Sequence, residues 1–139
     1  IKVYNQKLST QHKMGLVKDV IKEIGNKSRE FYEFVLPPID MYLNDENLKI
    51  VIDIPGFTKK EIELSLCGDI LSINAKKTID EKESESLISN QRPNVIDKKI
   101  RLPVKIKQGE EKIESAKYEN GILTLIIPIT KKGKDITIE

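Results

Sequence analysis

Apolar residues recur at spacings of three and four along the first part of the chain. Leu16, Val17, Val20, Ile21, Ile24, Phe31, Phe34 and Val35 follow this rule, with Lys18, Lys22, Glu23, Lys27 and Glu30 between them. Such a period predicts an amphipathic helix, because 3.6 residues per turn gather those positions on one face. Gly25 sits in its middle and weakens it, since glycine costs about 1 kcal/mol against alanine in a helix interior. Pro37-Pro38 ends it, because proline lacks a donor and forces its predecessor out of helical backbone. The helix is either packed on its own domain or part of an arm, residues 1–36, that adheres to other subunits or to clients.

From Ile39 to Ile129 the period drops to two, as half-buried strands require. Leu48–Ile54 forms one run, closed by Pro55-Gly56-Phe57, and Ile62–Leu66 a second. Ile70–Ala75 follows the Gly68-Asp69 turn, and Val95–Leu102 stops at Pro103. Ile113–Tyr118 and Ile122–Ile127 flank Asn120-Gly121, a strong signal for a tight hairpin. Short strands at regular spacing, with no helix between them, predict an all-β, immunoglobulin-like sandwich over residues 37–129.

Two stretches do not fit a self-contained sandwich. Lys76 to Ser86 is almost wholly polar, and Leu87-Ile88-Ser89 forms a small apolar island after it. A strand at the tip of so long a loop could leave its own sheet and pair with a neighbour's edge. The second stretch is the tail, residues 130–139, expected to be flexible. Thr130 to Asp135 is polar, yet Ile136 and Ile138 follow at a spacing of two. Two such residues face the same way in an extended segment, the geometry for adding a strand to a sheet edge.

Composition then excludes whole classes of chemistry. The chain has 139 residues, enough for one domain with a sizeable core. Its 24 Lys and Arg against 22 Asp and Glu leave a net charge of +2, which argues against a nucleic-acid binder. One cysteine, Cys67, cannot build a disulfide framework, and one histidine, His12, offers neither a metal site nor a nucleophile-base pair. His12 also falls in what reads as the least structured part of the chain. The seven glycines never take a phosphate-cradling spacing. No membrane span or signal peptide is visible, so a cytoplasmic protein is expected. Ile1 stands where an initiator methionine is expected, a sign that residues precede it. No enzyme, cofactor or metal is expected.

Ala116-Lys117-Tyr118-Glu119-Asn120-Gly121-Ile122-Leu123-Thr124-Leu125 resembles the A-x-x-x-N-G-[VI]-L-T signature of the small heat-shock proteins, the α-crystallin family of chaperones. Pro37-Pro38-Ile39-Asp40-Met41-Tyr42, Asp53-Ile54-Pro55-Gly56-Phe57, Lys99-Ile100-Arg101-Leu102-Pro103 and Ile136-Thr137-Ile138 support it in the family's order. Pro37-Pro38, the Gln91-Arg92-Pro93 stretch and the chain's brevity look most like archaeal members.

That resemblance implies an α-crystallin domain that dimerises by exchanging the strand near Leu87, Ile88 and Ser89. It implies a charged contact of Arg101 at or near the dimer interface, where the residues alone allow a plain surface charge. It further implies that Ile136 and Ile138 dock in a groove on another dimer. Ile62, Leu64 and Leu66 would form one side of that groove, and Ile113 with Ser115 the other. Parity alone leaves open that these residues simply fill the core, and Lys117 is long enough to restrict the groove. The function so implied is an ATP-independent holdase, a large homo-oligomer whose helical face takes unfolded clients. A β-sandwich adaptor or co-chaperone that docks a folded partner is the alternative, and a membrane-surface role for the helix a lesser addition.

Overall fold

Alternation along the chain resolves into two antiparallel sheets in the computed structural model, which describes residues 7–78 and 85–129, with helix side chains from Gly15 onward. One sheet runs β1 (Ile39–Leu43), β2 (Asn47–Asp53), β7 (Ile122–Pro128), β6 (Ser115–Glu119). The other runs β3 (Ile62–Cys67), β4 (Ile70–Lys76), β5 (Val95–Arg101). A short 3-10 turn, Lys59–Glu61, leads into β3. The chain divides into two compact units, the sandwich (36–77 and 95 onward) and a unit of residues up to 35 with 78–94.

The sandwich core follows from the pleat. Leu48, Ile50 and Ile52 of β2 point inward, as do Leu71, Ile73 and Ala75 of β4 and Leu123, Leu125 and Ile127 of β7. Each buried aliphatic side chain is worth about 1.5–3 kcal/mol relative to exposure. No polar or charged residue is buried among the described ones. Edge strands are only half-buried, and β1 beyond Ile39 is exposed throughout.

Turn chemistry fixes the register. Asn120 and Gly121 both take positive φ, 53° and 77°, as a two-residue I′ hairpin requires. The Gly121 carbonyl accepts the Ile54 N–H at 2.8 Å, so this hairpin is docked on the end of β2. A second tie joins the β3–β4 turn to the β5–β6 connection. The Glu111 carboxylate accepts the Gly68 N–H at 2.9 Å and also the Gly109 N–H.

That tie makes Glu111 a pH-sensitive clamp. The Gly68 bond first, with further backbone donors of its own loop, holds its carboxyl below the ordinary 4.5, outweighing the opposing effect of burial. A depressed folded value stabilises the fold above the unfolded value, and the contribution is lost as pH falls through the folded one. Glu111→Gln is therefore expected to melt below wild type at pH 7. The gap should close as pH falls below 4.5. A gap unchanged down to pH 3, in melting curves of both proteins, would exclude the carboxylate.

The helix is longer than its apolar pattern suggests. α1 spans Lys7–Val35, so His12 lies within helical backbone rather than in an unstructured stretch. Strand β1 lies within the stretch of period two but ahead of the first run that stands out in the sequence, Leu48–Ile54.

Candidate functional site

Strand β3 is an edge of one sheet and β6 an edge of the other, so the sandwich has an open side where they meet. A groove of about 280 Å³ lies there. Ile62 and Leu64 line it from β3, Ala116, Lys117 and Tyr118 from β6, with Leu123 and Lys59 beside them. Ile62, Leu64 and Leu66 pair with Ala75, Ile73 and Leu71 and share their inward face. They pack on the core and remain half-buried because, among the described residues, β3 is an edge with a strand on one side only. Core filling and groove lining are thus one arrangement. Leu66 packs on the core and is absent from the groove lining.

The opposite wall corrects the sequence expectation. Ile113 does pack against the core, but Ser115 lies on the outward face of β6 opposite Ile126. Ala116 and Tyr118, opposite Leu125 and Leu123, hold the inward face instead. The physical reason is one extra residue at the start of β6. Glu114 N–H donates to the Ile126 carbonyl at 2.8 Å while Ser115 is also registered against Ile126. Two residues against one is a bulge, and it flips the parity. Lys117 is exposed at the rim, its ammonium 3.4 Å from Glu119.

Tyr118 sets the width of this groove. Its hydroxyl donates to the carbonyls of Ile54 and Phe57, both at 2.8 Å, sharing one hydrogen between them. Those carbonyls belong to the segment that leads through Lys59–Glu61 into β3, so the two walls are joined.

The other predicted residues lie elsewhere. Leu87 and Ile88 are 72% and 47% exposed, and residues 85–94 form no strand in the single chain. Ser89 sits beside Gly25 of α1, in the helical unit. Arg101 is the exposed last residue of β5, opposite Ile70, in the sandwich unit. Leu16, Val17, Val20, Ile21, Ile24, Phe31 and Phe34 are all exposed along α1, Phe34 most at 76%. Ile136 and Ile138 lie outside the described residues.

A family model described as "Hsp20/alpha crystallin family" matches residues 40–139. The chain belongs to the Hsp20/alpha crystallin family. The β-sandwich is the form shared with solved structures of that family. A mutant of hsp14.1 from Sulfolobus solfatataricus P2, an archaeal small heat-shock protein, is 46% identical with a TM-score of 0.62. That likeness covers 73% of this chain and 81% of the other. Among curated relatives, a probable 15 kDa heat shock protein of Leptospira interrogans is 30% identical over 108 residues, 75% of this chain and 81% of that protein. Small heat shock protein C2 of Rickettsia felis is 28% identical, covering 79% and 77% respectively. Heat shock protein 16.0 of Schizosaccharomyces pombe, 23% identical over 74% of this chain and 75% of its own, has the same fold at a TM-score of 0.54.

Among the described residues, no helix is long and apolar enough to cross a membrane, and no three His, Cys, Asp or Glu residues converge as metal ligands.

Proposed function

We propose that this chain is an ATP-independent holdase, binding partly unfolded proteins as a dynamic oligomer of strand-exchanged dimers in the cytoplasm. One observation carries the reading: a groove between β3 and β6 stands open in a chain whose own tail has two isoleucines spaced to enter it. Leu87, Ile88 and Ser89 would pass to the partner in the dimer, with Arg101 contributing a charged contact near that interface.

Magnitudes favour a reversible assembly. Burying two isoleucine side chains is worth about 3–6 kcal/mol gross. Ordering the incoming segment costs about 1–2 kcal/mol per residue before strand hydrogen bonds form. A single contact is then weak, while many in one closed particle reinforce each other through effective concentration. Warming loosens the contacts and bares the grooves and the apolar face of α1, where unfolded chains bind. Holding clients this way uses no nucleotide, consistent with glycines that never adopt a phosphate-binding spacing.

The deciding experiment is suppression of a client's aggregation without ATP, run beside native mass measurement. A small, inactive monomer would sink the proposal. Removing residues 1–35 should leave the sandwich folded, because its core lies wholly within the other unit. The amount of protein needed to protect the client should rise several-fold. Unchanged protection would take α1 out of the mechanism.

A further inference from the structure

Gly25 is the one buried residue of α1 among those whose side chains are described, although it lies mid-helix. A Cβ there would fall 2.6 Å from Ser89 Oγ and 3.1 Å from the Asn90 backbone nitrogen. Two turns on, the Glu33 carboxylate accepts the Asn94 N–H at 2.7 Å. Arg29, between them, donates to Asn26 Oδ1 at 2.9 Å and stands 3.8 Å from Glu33. Positions 25, 29 and 33 are four apart and share one face of the helix. The loop is therefore seated on a small and polar patch, with Leu16, Val20 and Phe34 on the other side of the helix and Ile21 continuing the row of the patch.

We propose that this patch is a seat for residues 89–94 of the same chain, a latch that must open before the loop reaches a second copy. The inference rests on the proposed strand exchange, because the seat and a partner's sheet edge would compete for one short stretch of backbone. Glycine at 25 is what lets the loop approach. Leu16, Val20 and Phe34, on the other side of the helix, stay exposed with the latch closed.

A Cys67→Ser, Gly25→Cys, Ser89→Cys variant tests the seat, since these positions are within disulfide reach. On oxidation we expect a crosslink inside one chain, running as a monomer on a denaturing gel. Dimers should then be lost until reductant is added. A crosslink between chains, no crosslink, or an internal crosslink with dimers intact would each overturn the latch. Gly25→Leu provides an independent measure, with Gly15→Ala as control because nothing lies within 4 Å of a Cβ at Gly15. Subunit exchange between labelled copies should quicken several-fold in Gly25→Leu alone, and equal rates in both would count against the latch. Replacing Leu87 and Ile88 by Glu separately tests the exchange reading, which persistent dimers would defeat while the internal crosslink still reports on the seat.

Discussion

Ala116→Trp should break up the oligomer as thoroughly as an Ile136→Ala, Ile138→Ala double variant. Ala116 is exposed although it shares the inward face of β6 with Tyr118, because it borders the open groove. On the proposed docking, an indole there occupies the space the two isoleucines would take. Losing both isoleucines removes about 3–6 kcal/mol of gross burial per contact, and each 1.4 kcal/mol is tenfold in affinity. Light scattering should report dimers or small species for both variants at concentrations where wild type stays large. Combining them should add nothing, because both act on one contact. If Ala116→Trp keeps its full size while the tail variant falls apart, the tail docks elsewhere.

The second large effect falls on stability. Gly121→Val should destabilise the sandwich by about 2 kcal/mol or more, since a left-handed backbone alone costs an L-residue about 1–2 kcal/mol. Space adds to that cost. A Cβ at 121 would meet Pro55 Cβ at 3.0 Å and Cα at 3.1 Å, and the β-branch of valine presses further. Gly109 also has positive φ, at 93°, but nothing lies within 4 Å of a Cβ there. Gly109→Ala should thus show strain alone and a smaller loss. Denaturant unfolding of both variants makes the comparison, and equal losses would refute the role of Pro55.

Strand positions were legible because one face of each is buried, which imposes a period of two. Asn120-Gly121 was legible because few residue pairs accept two positive φ values. β1 escaped because its exposure pattern does not alternate, an edge strand resting on backbone pairing with β2. Ser115 was misplaced because a bulge leaves no mark in a polar stretch such as Glu114-Ser115. Gly25 was read as a flaw in the helix when it is the point of closest approach to the loop. Its signal was present, but only the neighbour that uses the space gives it meaning. Leu87-Ile88-Ser89, expected as a strand tip, forms no strand in the single chain.

The shared hydroxyl of Tyr118 has a consequence for how recognition is divided between the two sides of the groove. One proton on two carbonyls joins β6 to the chain entering β3, so the receptor is shaped before anything occupies it. Ordering costs then fall almost wholly on the incoming segment. Affinity can accordingly be tuned through the composition and length of that segment while the socket stays unchanged. Under the proposed docking, one such socket would accept related chains with different tails.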